Sequence, residues 1–164
     1  VSDKEISKIS SLKSLKSLYL SDTQITDAGL RSLSGHKDLS YLAVSNTKIT
    51  DSGLAELQGI GTLTVLDLGA TQISDDGLKH LRNLSNLATL SLSGTSVGDS
   101  GLVEVGKLKS LKVLELARTK VSDKGLKNLA SLENLIFLNV VRTDVTDAGL
   151  KELKKALPNC QFGF

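Results

Sequence analysis

The chain has 164 residues and a net charge of +2, from 20 basic and 18 acidic side chains. A charge so close to balance does not favour nucleic acid or an anionic membrane as a partner, because both reward a concentrated basic face. The single cysteine excludes an internal disulfide, and no apolar run approaches the roughly 18 residues that a membrane span needs.

A repeat of 24 residues runs through the chain. Its clearest part is Thr-Gln-Ile-Thr-Asp-Ala-Gly-Leu at residues 23–30, whose first threonine returns as Thr47, Thr71, Thr95, Thr119 and Thr143. A fixed period of about 20–50 residues is typical of a solenoid, in which each unit packs on the next. With Leu15 taken as repeat position 1, positions 1, 4, 6, 11, 16, 19 and 22 are Leu, Ile or Val in every copy except at His36 and Ala156.

In chain order, residues 1–14 are predicted to be the second part of an earlier, partial repeat, with Glu5 where the later copies have glycine. The chain contains no methionine, opens in the middle of a motif and shows no signal-peptide pattern. We therefore expect further residues upstream of Val1. The sequence assigns no cellular compartment.

Residues 15–156 are predicted to hold six copies of the repeat, each made of a short strand, a turn and a helix. The segment from Leu87 to Leu92 ends in alternating apolar and polar residues, which is the spacing of a strand. The segment from Asp75 to Leu84 places apolar residues three apart, which is the stripe of a helix of two to three turns. One copy cannot bury its aliphatic positions alone, but stacked copies close them into a continuous core.

Residues 157–164 break the pattern and are predicted to form a C-terminal cap. Pro158 cannot continue a helix, and Cys160, Phe162 and Phe164 alternate in the manner of one last strand. The partial repeat, the six copies and the cap are expected to form one domain.

Three polar positions are the same in all six copies. The threonine at position 9 lies where the chain leaves the strand, and its hydroxyl can both donate and accept, so stacked threonines are predicted to bond neighbouring turns in a ladder. The aspartate at position 13 precedes the helical stripe and is predicted to cap the helix. The glycine at position 15 destabilises a helix by about 0.5–1 kcal/mol relative to alanine. We therefore expect the adjacent repeat to approach too closely for a Cβ atom.

No motif indicates catalysis. A row of six aspartates could suggest calcium, but no single loop offers the cluster of oxygens that this ion needs. His36 occupies an aliphatic position, His80 lies on the outward helix face, and Cys160 lies in the cap, which favours structural or solvated roles. No C-x-x-C, H-E-x-x-H or phosphate-loop motif occurs. We predict no catalytic residue, no metal site and no cofactor, so the protein is not expected to be an enzyme.

Positions 3 and 5 of each strand point away from the core, and their residues vary between copies. Three of the five aromatic side chains fall there, and aromatic residues are enriched at the centres of protein interfaces. Together with two arginines at position 8, these positions predict a partner-binding face that comprises Tyr19, Tyr41, Val65, Asp67, Val113, Glu115, Arg118, Phe137, Asn139 and Arg142. An arginine pair beside an aromatic side chain could receive a carboxylate of a protein partner. The alternative is that Val, Tyr and Phe are simply good strand formers, and that the tail covers Phe137 with Ile136 and Val141.

The motif L-x-x-L-x-L-x-x-T-x-[I/V]-[T/S]-D-x-G-L resembles the leucine-rich repeat, in the threonine-bearing form common in bacterial proteins. It is also similar to the repeats of ribonuclease inhibitor and of F-box leucine-rich proteins. The resemblance implies an α/β fold, a right-handed solenoid with a parallel β-sheet on its concave face and short α-helices on its convex face.

The resemblance also implies a protein-protein interaction module that binds a protein or peptide through its concave face. We expect a monomer that binds no nucleic acid and inserts into no membrane. Two alternatives stay open. One is a structural spacer or recognition arm of a larger adaptor or effector protein, and the other is a receptor for a small ligand or glycan.

Overall fold

The structure, a computed structural model, describes residues 1–164. Seven strands of three residues each form a single parallel sheet in chain order. They are β1 (Ser17–Tyr19), β2 (Tyr41–Ala43), β3 (Val65–Asp67), β4 (Thr89–Ser91), β5 (Val113–Glu115), β6 (Phe137–Asn139) and β7 (Gln161–Gly163). Each strand residue pairs with the residue 24 positions further on, as Leu18 pairs with Leu42.

Short helices return the chain from the end of one strand towards the start of the next. The α-helices are α1 (Asp3–Ser7), α2 (Asp27–Arg31), α3 (Asp51–Leu54), α4 (Leu102–Val105), α5 (Asp123–Leu126) and α6 (Asp147–Ala156). Three further segments are 3₁₀-helices, at Ala55–Leu57, Asp75–Leu81 and Lys127–Leu129. The chain is therefore a solenoid with its parallel sheet on the concave side and its helices on the convex side, as predicted.

The predicted helices of two to three turns are mostly not regular α-helices: α3 and α5, for example, continue directly into the 3₁₀ segments Ala55–Leu57 and Lys127–Leu129. Only α6 reaches 10 residues, and the return segment Asp75–Leu81 is 3₁₀-helix throughout. The reason is spatial. Sheet hydrogen bonds hold consecutive strands about 4.8 Å apart, whereas an α-helix with its side chains is about 10 Å wide. Single turns and the slimmer 3₁₀ form let neighbouring copies stay in contact.

The aliphatic positions form one continuous core of 40 buried side chains, which runs from Ile6 to Cys160 without a break. In each strand the middle residue points into this core. In β3, for example, Leu66 is fully buried between the half-buried Val65 and Asp67. Successive side chains of a strand point to opposite faces, so positions 3 and 5 face outward on the concave side.

The predicted last strand is β7, which pairs with β6 beyond the end of helix α6. Phe162 continues the row of core-facing strand residues: it pairs with Leu138 and packs against the core. Lys154 of α6 donates to the backbone carbonyl of Cys160 at 2.6 Å, and its ammonium lies 5.4 Å from the centre of the Phe162 ring. The last helix therefore holds the last strand in place.

The predicted threonine ladder between repeats is wrong. Each position-9 hydroxyl donates to the carbonyl three residues earlier in its own repeat, as Thr71 does to Leu68 at 2.5 Å and Thr47 to Val44 at 2.6 Å. The backbone has positive φ at position 8 of every copy, and this turn brings the hydroxyl back over its own strand end. Neighbouring turns are joined instead by backbone bonds, such as that from the Asn46 amide to the Gly69 carbonyl at 2.8 Å.

The aspartates at position 13 bind the next repeat, so the prediction that they cap their own helices was wrong. Asp27 accepts the backbone N–H of Thr50 on one carboxylate oxygen at 2.8 Å and the Thr50 hydroxyl on the other at 2.7 Å. We call this pair of bonds the aspartate clasp. It recurs between Asp3 and Thr26, Asp51 and Ser74, Asp99 and Ser122, and Asp123 and Thr146.

The position-12 hydroxyl, not the aspartate, caps the helix in four of the five clasps, Ser74 being the exception. The Thr50 hydroxyl oxygen, for example, accepts the Ser52 amide at 3.3 Å. The aspartate is the first residue of the helix, from where its side chain reaches sideways to the neighbouring copy. The hydroxyl and amide of Thr146 bond the Asp123 carboxylate and lower its pKa.

The glycines at position 15 provide the space that the clasp occupies, which confirms the predicted close approach. A Cβ atom added to Gly29 would lie 2.7 Å from a carboxylate oxygen of Asp3, closer than real Cβ contacts. The same overlap with the preceding aspartate occurs at Gly53, Gly77, Gly101, Gly125 and Gly149.

The fourth copy shows what the position-12 hydroxyl contributes, because it has Gly98 there. Asp75 receives only the backbone N–H of Gly98, at 2.6 Å. Helix α4 begins at Leu102, later in the repeat than the other helices, and no side chain caps it. The hydroxyl therefore serves both the clasp and the start of the helix.

Thr71→Val is expected to lower the free energy of unfolding by about 1–3 kcal/mol, because it removes a buried hydroxyl that satisfies the Leu68 carbonyl. Valine keeps the shape of threonine, so packing changes little. Thr64→Val is the control, since the Thr64 hydroxyl also donates to a backbone carbonyl, that of Ser40, but at an exposed position where water can replace it, and it should change stability by less than about 0.5 kcal/mol. Urea melts of both variants measure the difference, and equal values would contradict a structural role for Thr71.

Gly53→Ala is expected to destabilise by about 1–3 kcal/mol, although alanine is the better helix former, because the new Cβ overlaps the Asp27 carboxylate. Gly61→Ala is the matched control, because no atom lies within 4 Å of a Cβ there.

A double-mutant cycle with Asp27→Ala tests the cause. Asp27→Ala breaks a clasp and destabilises by itself, but it also clears the space beside Gly53. Gly53→Ala should therefore destabilise much less in the Asp27→Ala background than in the original protein. Strictly additive effects in denaturant melts would show that Gly53 does not serve the clasp.

Candidate functional site

The outward residues of the sheet form two parallel rows on the concave face. Strand register aligns position 3 of each copy with position 3 of the next, and position 5 with position 5. One row runs through Tyr41, Val65, Thr89, Val113 and Phe137, and the other through Tyr19, Ala43, Asp67, Ser91, Glu115 and Asn139. The structure thus places the eight strand residues of the predicted site on one face.

The first part of this face, which we call the tyrosine patch, consists of Tyr19, Tyr41, Val65 and Asp67. Tyr19 is 69% exposed, and its ring centre lies 4.6 Å from that of the half-buried Tyr41. Burial raises the pKa of the Tyr41 hydroxyl, and the neighbouring Tyr19 and Asp67 add to the shift. One Asp67 carboxylate oxygen accepts the Gly69 amide at 3.0 Å, which orients the side chain.

The second part, the phenylalanine patch, consists of Val113, Glu115, Phe137 and Asn139. The Asn139 amide nitrogen donates to the Glu115 carboxylate at 2.7 Å, and its oxygen accepts the Val141 amide at 3.0 Å. These two polar side chains therefore hold each other in a defined arrangement. The half-buried side chains of Val113 and Phe137 lie side by side in the position-3 row.

The tail does not cover the whole neighbourhood of Phe137. The ring of Phe137 lies beside Gly163 of β7, so one of its edges is covered. Ile136 and Val141, however, are 54% and 38% exposed, so the alternative in which the tail covers these two does not hold. Sequence reasoning missed them as surface candidates. The signal was present, because positions 2 and 7 are polar or small in the other copies.

Arg118 and Arg142 lie beside the phenylalanine patch, in the turns that follow β5 and β6. Both side chains are exposed, and both backbones have φ of 57°. Neither arginine takes part in any of the ion pairs of the chain, which join Arg31 to Glu56, Arg82 and Lys107 to Glu104, and Lys155 to Glu152. Both guanidinium groups are therefore without an acidic partner in the chain.

Polar residues separate the two patches. Thr89 and Ser91 of β4 are half-buried and lie between them in the two rows. From β2 to β6 there are four strand spacings, or roughly 19 Å at about 4.8 Å each. A partner that contacts both Tyr41 and Phe137 must span this distance, whereas the facing edges of the two patches, β3 and β5, are two spacings or roughly 10 Å apart.

A hollow lies elsewhere, on the convex side between α6 and the preceding copy. Its volume is about 460 Å³, and its apolar lining includes Leu126, Ala130, Leu153 and Ala156. Ala156 occupies position 22, where the other copies have larger side chains, which leaves the space open. None of the predicted binding residues lines this hollow.

The histidines and the cysteine lie away from the concave face. His36 is fully buried, and its ring nitrogens lie 3.2 Å from the Leu33 carbonyl and 3.1 Å from that of Ile9. Cys160 is buried in the cap, and burial raises the pKa of its thiol to about 11. No three His, Cys, Asp or Glu side chains gather where they could hold a metal ion. No helix has the length and apolar character to cross a bilayer.

A family model described as leucine-rich repeat matches the chain at residues 11–34, 62–81 and 107–130. The chain therefore contains leucine-rich repeats. The matched stretches belong to three different copies of the repeat, and the strand register of 24 residues carries the same unit through the copies between them. No curated protein matches by sequence.

Solved structures share the fold of this leucine-rich repeat protein. An internalin, InlF, from Listeria monocytogenes superposes with a TM-score of 0.69 at 21% identity, over 96% of this chain and 49% of that one. Internalin C2 from the same organism gives 0.66 at 28% identity, over 94% and 74%. A leucine-rich repeat protein of Leptospira interrogans gives 0.64 at 22% identity, over 96% and 51%. The chain thus spans about half the length of InlF and of the Leptospira protein.

Cys160 is expected to resist thiol reagents in the folded protein. With a pKa of about 11 the thiol stays neutral at pH 8, and the side chain is out of reach of solvent. Ellman's reagent at pH 8 should therefore react at least about a hundredfold more slowly with the native protein than with the protein in urea. Comparable rates in the two conditions would show that the thiol is accessible.

Proposed function

We propose that this leucine-rich repeat protein binds a protein or peptide partner through its concave face, without catalysing a reaction. Leucine-rich repeat proteins generally bind proteins. The observation that carries the proposal is the placement of the aromatic residues: Tyr19, Tyr41 and Phe137 all lie on the concave face, and Tyr19 is mostly exposed. Exposed aromatic side chains are typical of interface centres.

The partner-binding residues of the proposal are those of the tyrosine patch, the phenylalanine patch and the two adjacent arginines. Ring contact between Tyr19 and Tyr41 and the bond between Asn139 and Glu115 orient these groups before a partner arrives. Such preorganisation reduces the entropy that binding must overcome. A standard interface buries about 800 Å² on each partner, and a face on which Tyr41 and Phe137 lie roughly 19 Å apart is suited to that size.

The proposal is tested with single substitutions at each patch and one on the opposite side. Affinity capture with the tagged chain identifies a partner, and titration calorimetry with the purified partner measures Kd. Tyr41→Ala and Phe137→Glu are each expected to raise Kd at least about tenfold, a loss of about 1.4 kcal/mol.

Val103→Glu is the matched control, because Val103 is an exposed apolar residue of helix α4 on the convex side. It should leave Kd unchanged. Unchanged binding by both concave variants would refute the concave site. Equal losses of affinity in all three variants would indicate a general effect on folding, and thermal melts of each variant would detect such an effect. A chain that captures no partner at all would favour a spacer or recognition arm.

A further inference from the structure

The two arginines at position 8 lie in a backbone conformation that disfavours them. Position 8 has positive φ in all six copies, at Asp22, Asn46, Ala70, Gly94, Arg118 and Arg142. Asp, Asn and Gly tolerate this left-handed region, whereas a longer side chain with a Cβ is strained there. Arg118 and Arg142 therefore occupy positions at which the fold itself favours another residue.

The two arginines are also neighbours of like charge. The Arg118 amide donates to the carbonyl of Val141, the residue before Arg142, at 2.8 Å, so the two backbones are adjacent. The first two copies show where position-8 side chains go: Asn46 donates to the Asp22 carboxylate at 2.7 Å. Because the two backbones share the same turn and are hydrogen-bonded to each other, the side chains of Arg118 and Arg142 start side by side.

No carboxylate of the chain is in ion-pair contact with Arg118 or Arg142. Glu115, the carboxylate of the adjacent patch, is bonded to Asn139. Strained backbone and repelling charges both destabilise the folded chain, and residues held in such conformations cluster at functional sites. An anion from outside the chain would relieve the repulsion.

We propose that Arg118 and Arg142 form a receptor for a carboxylate of the partner. The group is an acidic side chain, held by charge-assisted hydrogen bonds from both guanidinium groups. The exposed Val141 and Ile136 and the phenylalanine patch border the pair, so the acidic residue of the partner is flanked by an apolar one. This inference rests on the proposed function, since it names the chemistry that the concave site and its border recognise.

A blocked tripeptide, N-acetyl-Phe-Glu-Val-amide, is the probe, and its Gln counterpart is the ligand control. Nuclear magnetic resonance of the arginine Nε–H groups follows each titration. The Glu peptide should give saturable shifts at Arg118 and Arg142, and the Gln peptide should bind at least about tenfold more weakly. Equal shifts with both peptides would overturn the receptor.

The double variant Arg118→Asn, Arg142→Asn should lose the preference for Glu over Gln, as seen in the backbone amide shifts of residues 117 and 141. Its melting temperature should equal or exceed that of the original protein, because Asn suits positive φ and the repulsion is gone. Loss of binding then cannot come from unfolding. A lower melting temperature would contradict the claim that positive φ and charge repulsion at Arg118 and Arg142 destabilise the folded protein.

The charge-matched control is Lys124→Asn, Lys151→Asn, which removes two charges from exposed convex helices. This variant should keep the preference for the Glu peptide. Loss of the preference would show that it depends on the net charge of the protein and not on the two arginines. The peptide result is independent of partner capture. Glu-selective shifts without any captured partner would support the receptor and refute the proposed function. A captured partner whose binding depends on Tyr41 and Phe137, without Glu-selective shifts, would support the proposed function and refute the receptor.

Discussion

Backbone hydrogen bonds between consecutive strands hold each copy of the repeat about 4.8 Å from the next, and the rest of the molecule adapts to this spacing. The ladder continues past the strands into the turns, where the Asp22 amide donates to the Ser45 carbonyl at 2.9 Å. Because helices are wider than strands, the return segments are mostly single α-turns or 3₁₀-helix, and they lie on the outer side of the curve. The concave face is the side that the strands line.

The aspartate clasp joins the copies a second time, where each return segment begins. A carboxylate that accepts both an amide and a hydroxyl forms strong, directional bonds, and the glycine of the next copy leaves room for it. The clasp bonds between copies therefore offset the helix stability that is lost by having glycine instead of alanine at position 15. Sheet bonds on one side and clasps on another fix the position and the rotation of each copy relative to its neighbour.

The scaffold uses the invariant polar positions completely, so recognition falls to the positions it leaves free. Threonine at position 9 bonds its own strand end, and aspartate at position 13 bonds the next copy. Positions 3 and 5 need only project from the sheet, and position 8 requires a backbone turn without requiring a particular side chain. The proposed partner contacts all lie at these three positions, where the copies differ and where Tyr19, Phe137 and the two arginines are found.

The period and the spacing of its aliphatic residues determined the stacked repeats and the outward strand positions, because six copies repeat the same burial pattern. The parallel sheet on the concave face followed from the resemblance to the leucine-rich repeat, and the last strand from the alternation of Cys160, Phe162 and Phe164. Tertiary structure decided the partner of each polar group. A threonine hydroxyl or an aspartate carboxylate can bond its own repeat or the next, and the same sequence period is compatible with both until the positive φ at position 8 and the distance between copies select one. The other copies have polar or small residues at positions 2 and 7, which indicates exposure of Ile136 and Val141, but how far the tail extends over them was decided by the tertiary structure.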